Sequence, residues 1–355
     1  MSKAVATKGF KGTPGQIRQQ RIERVGAISI SFIAAIWMLA NLIKAPEQFV
    51  QVAISGLRNG LIYALIALGY TLVYGIIELI NFAHGDLFML SAVFSSFFIT
   101  YWLGADQSNG YGWFAFGLCL IAVMIFGAVI NVLIERFAYR RLRHAPRLAP
   151  LITAMGVSLL LQTVAMVIWK PNPKPFPQLL QVDPIDLGGP VITITQMLIL
   201  LVTAIVLVIL MILVNKTRLG RAMRATAESP RVAALMGVNP DRVISATFVI
   251  GAALAAVAGI MWAANYGTVQ HAMGFLPGLK AFTAAVLGGI GNLPGAVLGA
   301  LLLGLVEAIG AGYLGDLTGG VLGSHYADIF AFVALILVLT LRPSGLLGER
   351  VADRA

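Results

Sequence analysis

Long apolar runs alternate with short polar segments along almost the whole chain. A helix that crosses a bilayer core needs about 20 apolar residues, with a range of about 17–25. Leu148–Trp169 and Thr193–Val214 have this length and contain no ionisable residue. The other predicted segments are Ile28–Ile43, Val52–Ile77, Leu87–Leu103, Gly112–Ile134, Val243–Ala264, Lys280–Gly291, Leu293–Leu314 and Tyr326–Leu341. We therefore expect an all-α polytopic membrane protein with about eight to ten transmembrane segments, including broken or re-entrant helices and an inverted repeat.

The basic residues are concentrated in a few of the polar segments. Of the 25 Lys and Arg residues, 20 lie before Ile28, in Glu135–Arg147, in Asn215–Arg242 or after Leu341. Short loops that are rich in Lys and Arg stay on the cytoplasmic side of a membrane. The charge pattern therefore predicts an inner-membrane protein with both termini in the cytoplasm.

The composition excludes a soluble protein. The chain is 59% hydrophobic and 11% charged, whereas a soluble domain carries about 25% charged residues. The net charge of +10 lies in loops beside apolar runs, which argues against nucleic-acid binding. The single cysteine, Cys119, cannot form an intramolecular disulfide. We expect a basic tail at residues 1–27, one membrane domain at residues 28–342, and a short tail at residues 343–355.

The polar loop at residues 215–243 lies between two predicted spans and carries six basic residues. Within it, Thr226–Met236 is predicted to form a short helix that ends at Gly237, before the Asn239-Pro240 stop. A membrane protein with almost no soluble mass keeps such a cytosolic helix when a soluble partner docks on it. The loop is therefore a candidate docking site.

The sequence contains no nucleotide-binding or metal-binding motif that would give the chain an activity of its own. The Walker A pattern is absent, so we expect no cofactor on this chain and an energy source on another subunit. His84 and Asp86, in the turn Asn81–Asp86, have no third ligand or nucleophile nearby, so we expect no metal site and no catalytic residue, and the chain is not predicted to be an enzyme. Asp86 is instead expected to cap the N-terminus of the following helix.

Arg58, Lys280 and Glu307 are the ionisable residues most clearly embedded in the predicted spans. A charge at the bilayer centre costs about 2.5–3.5 kcal/mol on insertion scales. Arg58 and Lys280 lie near predicted helix ends, where their long side chains are expected to reach the membrane surface. Glu307 is too deep in its helix for this, so we expect it to face protein or water and to pair with Lys280.

Glycine and proline interrupt the apolar pattern between two of the C-terminal segments. The sequence there does not match the dinucleotide-binding fingerprint, because its third glycine is misplaced and no strand precedes it. A helix break at membrane depth is the alternative, and it requires protein or a water-filled path to satisfy the freed backbone groups. Both a packing role and a pathway role are open. The residues predicted to break the helix are Gly288, Gly289, Gly291, Pro294 and Gly295.

Long stretches of the chain resemble the permeases of ATP-binding-cassette importers for branched-chain amino acids, in particular the H-type subunit. The resemblance covers nearly all of Ser55–Gly348. The segments that carry it are GLIYALIALGYTLVYGIIELINFAHGD (Gly60–Asp86), ERFAYRRLRHAPRLAPLITAMGVSLLLQ (Glu135–Gln162), TRLGRAMRATAESPRVAALMGVNPDRV (Thr217–Val243), KAFTAAVLGGIGNLPGAVLGALLLGLVEA (Lys280–Ala308) and LRPSGLLG (Leu341–Gly348).

The resemblance implies a transporter assembled from several subunits. The expected partners are a paralogous M-type permease, two cytoplasmic ATPase subunits and a periplasmic amino-acid-binding protein. The family's cytosolic coupling helix follows a loose E-A-A…G pattern, from which Ser229 and Pro230 depart here. The residues expected to dock the ATPase are Arg224, Glu228, Pro230, Ala233, Met236 and Gly237.

The resemblance also implies a translocation path that works by alternating access. Because the substrate is an aliphatic zwitterion, we expect a mostly apolar path with a few polar groups. The candidates are Tyr63, Tyr70, Asn81, Thr153, Gln162, Asn265, Tyr266, Lys280 and Glu307. A urea or short-amide importer permease is the alternative within this class, and a stand-alone channel for small polar solutes is the alternative from another class.

Overall fold

The computed structural model of this chain describes residues 36–79, 81–104, 112–142, 145–146, 148–177, 179, 184–186, 188–319, 324–341 and 345–348. Nearly all of them are helical, and the strands among them form two short ribbons. The predicted all-α membrane fold is confirmed. Residues 36–44 are helical, while most of the predicted first segment, Ile28–Ile43, lies outside the described residues.

The helices are labelled in chain order from Pro46. They are α1 (Pro46–Ile77), α2 (Ala83–Phe97), α3 (Gly112–Ile134), α4 (Leu148–Trp169), α5 (Ile194–Lys216), α6 (Arg218–Glu228), α7 (Pro230–Leu235), α8 (Pro240–Tyr266), α9 (Phe275–Gly288), α10 (Leu293–Leu317) and α11 (Ala327–Leu341). A π-helix at Phe98–Leu103 extends α2. A second π-helix at Glu135–Tyr139 leads from α3 into the short helix Arg140–Leu142, and a 3-10 helix at Ser324–Tyr326 precedes α11.

Among the described residues, seven helices are long and apolar enough to cross a membrane. They are Pro46–Ile77, Ala83–Leu103, Gly112–Leu142, Leu148–Trp169, Ile194–Lys216, Pro240–Tyr266 and Leu293–Gly315, and the apolar helices α9 and α11 are shorter. The chain is therefore a multi-pass membrane protein. The inverted repeat stays a prediction.

The chain divides into two compact units, Met1–Val50 and Gln51–Ala355. In the second unit, α8 packs against α2 and α3, and α9 packs against α10, which in turn packs against α11. The buried face of α8 is rich in small residues such as Ala255, Ala256 and Gly259. Small side chains let helix backbones approach closely, which drives helix association in lipid. Helices α4 and α5 instead expose most of their apolar side chains, as surfaces that face lipid or another subunit do.

A glycine-lined crossing joins α1 to α10. A Cβ atom added to Gly304 would come within 2.6 Å of the Gly60 Cα atom, and one added to Gly60 would lie 2.8 Å from the Ala300 carbonyl oxygen. Real Cβ atoms essentially never approach other atoms this closely. The two backbones can therefore be in contact only because Gly56, Gly60 and Gly304 have no side chains.

Two ribbons of two strands connect segments outside the long helices. Strand β1 (Lys174–Pro175) pairs antiparallel with β4 (Thr268–Val269), and β2 (Ile185–Asp186) pairs antiparallel with β3 (Val191–Ile192). The first ribbon ties the segment after α4 to the segment after α8. In the second, the backbone N–H groups of Gly189 and Gly188 donate to Asp186, which lowers the pKa of this exposed carboxyl.

Two local expectations were wrong. Helix α2 begins at Ala83, three residues before Asp86, so Asp86 lies inside the first turn and does not cap it. Its Oδ1 atom instead accepts a hydrogen bond from Gln162 Nε2 at 3.0 Å, which joins α2 to α4. The loop at residues 215–243 also forms two helices in place of one. Pro230 cannot donate the backbone hydrogen bond that would continue α6, and Ser229 Oγ accepts from Val232 N as the cap of α7.

Candidate functional site

A cavity opens between the beginning of α5, the first half of α1 and the end of α8. We call it the Arg58 cavity. Its empty volume is about 840 Å³, including its open mouth. Its lining combines one guanidinium and several neutral polar groups with aromatic and aliphatic side chains. The lining residues are Arg58, Phe116, Phe176, Pro177, Leu179, Thr193, Ile194, Thr195, Gln196, Ala264 and Asn265.

The Arg58 side chain contacts a residue of its own helix, α1, and a residue of α8. Arg58 Nε donates to Asn59 Oδ1 at 3.3 Å, and the Arg58 guanidinium carbon lies 5.9 Å from the centre of the Tyr266 ring. The Tyr266 hydroxyl donates to the same Asn59 oxygen at 2.9 Å. Within the described residues, Arg58 forms no ion pair with a carboxylate. Its positive charge is therefore oriented but not neutralised.

A second cavity lies at the other end of the same helices. We call it the Arg224 cavity, and its empty volume is about 1,520 Å³, again including open space. The ends of α1 and α5, helix α6 and the segment between α9 and α10 all contribute to its wall. The lining residues are Thr71, Leu72, Gly75, Ile76, Met211, Val214, Asn215, Met223, Arg224, Ala227, Ile290, Gly291, Asn292, Leu293, Pro294 and Gly348.

Helices α1 and α5 contribute residues to both cavities, and we call this pair of helices the seam. On α5, Gln196 lines one cavity and Val214 the other. Eighteen residues separate them, which is five whole turns of an α-helix and about 27 Å along its axis, so they lie on one face. On α1, Arg58 and Ile76 are also eighteen residues apart, with the same consequence. One continuous helix face therefore connects the two openings.

A buried charged cluster lies beside this seam, among α1, α9, α10 and α11. Lys280 Nζ lies 2.8 Å from Glu307 Oε1 and 2.5 Å from Asp328 Oδ1, and the Tyr63 hydroxyl donates to Glu307 Oε2 at 3.1 Å. The pairing of Lys280 with Glu307 expected from the sequence is present. The expectation that Lys280 reaches the membrane surface was wrong, because the residue is only 6% exposed and its ammonium is held by two carboxylates.

Two other predicted path residues, Tyr70 and Asn81, line a third, small cavity together with His84. Tyr70 packs edge-on against His84, with ring centres 4.8 Å apart, and Asn81 Oδ1 accepts from the Tyr139 hydroxyl at 2.7 Å. Gln162 binds Asp86, while Thr153 is a half-buried residue of α4 that lines none of the three cavities. The predicted path residues therefore do not form one line.

The loop at residues 215–243 presents an apolar surface on its second helix, α7. Val232, Leu235 and Met236 are 58%, 87% and 80% exposed. Of the residues expected to dock a partner, Met236 belongs to this surface, whereas Ala233 is buried at 3% exposure. Gly237 ends the helix in a left-handed conformation, with φ of 84°.

Two of the predicted docking residues have neighbours of their own within the chain. The Arg224 guanidinium donates to the Val214 carbonyl oxygen, so it ties α6 back to the end of α5. Glu228 and Pro230 are exposed on either side of the Ser229 cap, although Glu228 also has an interaction within the chain. Sequence reasoning did not single out Val232 and Leu235, which only the exposure of their helix face reveals.

The helix break between α9 and α10 is closed by the chain's own C-terminal segment. The Leu346 and Leu347 backbone N–H groups donate to the Leu287 and Gly288 carbonyl oxygens at 2.9 and 3.0 Å. Asn292 Nδ2 donates to the Leu347 carbonyl oxygen at 2.9 Å. Protein therefore satisfies these backbone groups, which is one of the two conditions that allow a break at this depth.

The five residues predicted to break the helix have different roles there. Gly288 and Gly295 pack against each other so closely that neither has room for a Cβ atom, whereas Gly291 has open space around it. Gly289 and Gly291 adopt positive φ angles of 102° and 95°. Pro294 lies in the first turn of α10. The Asn292 side chain caps this helix by accepting a hydrogen bond from the Gly295 backbone N–H.

No catalytic or metal constellation emerges from the described part of the chain. It contains no group of three or more His, Cys, Asp and Glu residues that could hold a metal ion. His84 and Asp86 belong to separate contacts, with Tyr70 and Gln162 respectively.

Comparison with known proteins identifies the family. Residues 52–339 match the family described as the permease component of branched-chain amino acid transport systems, and the chain belongs to this family. The match includes the whole lining of the Arg58 cavity, the lining of the Arg224 cavity except Gly348, and the loop at residues 215–243. The resemblance inferred from the sequence motifs is confirmed.

Curated relatives match over nearly their full length. The chain is 45% identical over 317 residues to the high-affinity branched-chain amino acid transport system permease protein BraD of Pseudomonas aeruginosa, which covers 87% of this chain and 99% of BraD. It is 42% identical over 312 residues to the corresponding protein LivH of Salmonella typhimurium, which covers 86% of this chain and 97% of LivH. LivH of Escherichia coli is 41% identical with the same coverage.

Proposed function

We propose that this chain forms the translocation path for leucine, isoleucine and valine in an ATP-binding-cassette importer. The family assignment supports the class of transporter. One structural observation carries the mechanism: helix α6 of the cytosolic loop contributes Met223, Arg224 and Ala227 to the wall of the Arg224 cavity. A force applied to the loop therefore acts directly on the mouth of the path.

The path follows the seam between α1 and α5. In the orientation inferred from the basic loops, the Arg58 cavity faces the periplasm and the Arg224 cavity faces the cytoplasm. In alternating access, the path between α1 and α5 is open to the periplasm through the Arg58 cavity in one state. It is open to the cytoplasm through the Arg224 cavity in the other. Substrate enters from the periplasmic side and leaves beside α6.

The docking surface for the ATPase is the exposed apolar face of α7, formed by Val232, Leu235 and Met236. Exposed apolar patches of this kind mark protein contacts. Because the Arg224 side chain holds α6 to the end of α5, movement of α7 is transmitted to α5. The chain itself carries no cofactor and catalyses no reaction, since ATP is used by the partner subunit.

The complete importer contains further chains. An M-type permease pairs with this chain in the bacterial inner membrane, two ATPase subunits dock on the cytoplasmic side, and a periplasmic binding protein delivers the amino acid. Both termini lie in the cytoplasm. The exposed apolar faces of α4 and α5 offer surface for lipid and for the second permease.

Co-purification tests the docking role. The chain is expressed with its ATPase and M-type partners and extracted in mild detergent. We expect the ATPase to co-purify with the wild-type chain and with Arg242→Gln, an exposed position of the same loop outside α7, and to be lost from Leu235→Asp. A chain that purifies without any ATPase would favour a stand-alone channel. Full retention of the ATPase by Leu235→Asp would remove α7 from the docking surface.

A further inference from the structure

The Arg58 cavity combines three features that favour an anion. The Arg58 guanidinium supplies a full positive charge without a carboxylate partner among the described residues. Asn265 supplies a side-chain amide whose Nδ2 atom is buried and has no hydrogen-bond partner. The third feature is the N-terminus of α5, since Ile194 and Thr195 line the cavity at its first turn.

A capping box fixes the N-terminus of α5. Thr193 and Gln196 form a reciprocal capping box, in which each side chain accepts from the other residue's backbone N–H. The first-turn N–H groups of a helix have no partner inside the helix, and they carry about half a positive charge. A carboxylate at this point meets positive potential from the helix and from Arg58 together.

Part of the cavity lining is apolar. Phe116 and Leu179 are only 6% and 7% exposed, and Phe176 is 5% exposed. No carboxylate lines the cavity among the described residues. Small-molecule sites combine a mostly apolar lining with a few placed polar groups, and this cavity has both kinds of residue. The site therefore offers both polar and apolar contacts within one cavity.

We propose that the Arg58 cavity is a substrate subsite that binds the α-carboxylate of the incoming amino acid. This inference rests on the proposed function. Arg58 and the Asn265 amide donate to the carboxylate, the Thr193 and Thr195 hydroxyls lie within the same lining to accept from the ammonium group, and the aliphatic side chain contacts Phe116 and Phe176. A neutral amide such as urea has no carboxylate for this site, so the subsite selects amino acids.

The test uses the complete importer in proteoliposomes, with saturating leucine-loaded binding protein. Leucine uptake and ATP hydrolysis are measured on the same samples. We expect Arg58→Gln to lower leucine uptake about tenfold or more, since hydrogen bonds to charged groups are the strong ones, while ATP hydrolysis remains stimulated by the binding protein. Arg58→Lys should recover part of the uptake. Lys170→Gln removes an exposed cation outside the cavity and should behave as the wild type.

Three results overturn the subsite. Unchanged uptake in Arg58→Gln removes the guanidinium from substrate binding. Loss of ATPase stimulation together with uptake assigns Arg58 to docking of the binding protein. If Arg58→Gln does not assemble, Asn265→Asp decides: a new negative charge beside the carboxylate should lower uptake about tenfold, and unchanged uptake refutes the proposal. A wild-type importer that takes up no leucine contradicts the proposed function itself, which separates the two failures.

Discussion

Lys280 Nζ lies 2.8 Å from Glu307 Oε1 inside the membrane domain, and the two residues come from the antiparallel helices α9 and α10. Asp328 from α11 and the Tyr63 hydroxyl from α1 complete the cluster. Buried charges in a membrane are tolerated when they are paired and hydrogen-bonded. The cluster therefore fixes the relative positions of four helices at one point.

Removal of either carboxylate should destabilise this cluster, and the loss should be larger for Glu307 than for Asp328. In Glu307→Gln, Lys280 keeps Asp328 as its partner but loses the more buried one, whose side chain is 11% exposed against 40% for Asp328. We expect a loss of about 1–3 kcal/mol of stability, seen as a lower thermal midpoint in detergent, and a smaller loss for Asp328→Asn. Equal stability of Glu307→Gln and the wild type would show that the pair contributes nothing.

The crossing of α1 and α10 should be intolerant of any side chain. In Gly304→Ala, the added Cβ atom would come within 2.6 Å of Gly60 Cα, and the resulting overpacking should cost about 1–3 kcal/mol. Gly156→Ala is the matched control, because this glycine of α4 has open space around it. The yield of folded protein by size-exclusion chromatography and its thermal midpoint report the difference. Similar values for both variants would mean that the helices can separate without cost.

The C-terminal segment should stabilise the helix break. A truncation after residue 344 removes the donors that Leu346 and Leu347 provide to the Leu287 and Gly288 carbonyl oxygens. Each buried carbonyl left without a partner should cost about 1–3 kcal/mol. A truncation after Gly348 keeps both hydrogen bonds and serves as the control. Limited proteolysis between α9 and α10 should be faster for the first truncation only. Equal cleavage rates would show that residues 345–348 do not stabilise the helix break.

Gly237 should act through its backbone conformation. Its φ of 84° ends α7, and a left-handed conformation costs a residue with a Cβ atom about 1–2 kcal/mol. Gly237→Ala should therefore loosen α7, measured as faster amide hydrogen exchange of Val232 to Leu235. Gly237→Asn should lie closer to the wild type, because Asn tolerates this conformation better than Ala. Identical exchange in all three proteins would show that the turn does not control α7.

Much of the fold could be predicted because the bilayer imposes helix length. The apolar run Leu148–Trp169 coincides with α4, and Gly112–Ile134 with α3. The pairing of Lys280 with Glu307 was also accessible, since a deeply placed carboxylate requires a partner. Local chemistry explains the errors: the single loop helix was wrong because Ser229 and Pro230 start a new helix.

Other features depend on contacts that sequence spacing does not reveal. The Gly56-Gly60 spacing is a visible helix-packing signal, but only the structure shows that its partner is Gly304. The binding of residues 345–348 to the helix break joins segments more than 50 residues apart. Arg58 was expected to reach the membrane surface, and its place in a cavity follows from the positions of α5 and α8.

ATP-driven uptake of radiolabelled leucine tests the proposed transport function. Proteoliposomes receive this chain with its M-type, ATPase and binding-protein partners, and ATP is supplied on the side of the ATPase. We expect leucine to accumulate against its gradient, with competition by isoleucine and valine and not by urea, and we expect no accumulation with Leu235→Asp. Leucine transport that is independent of ATP and runs only down its gradient would contradict the proposed function. Competition by urea alone would also contradict it.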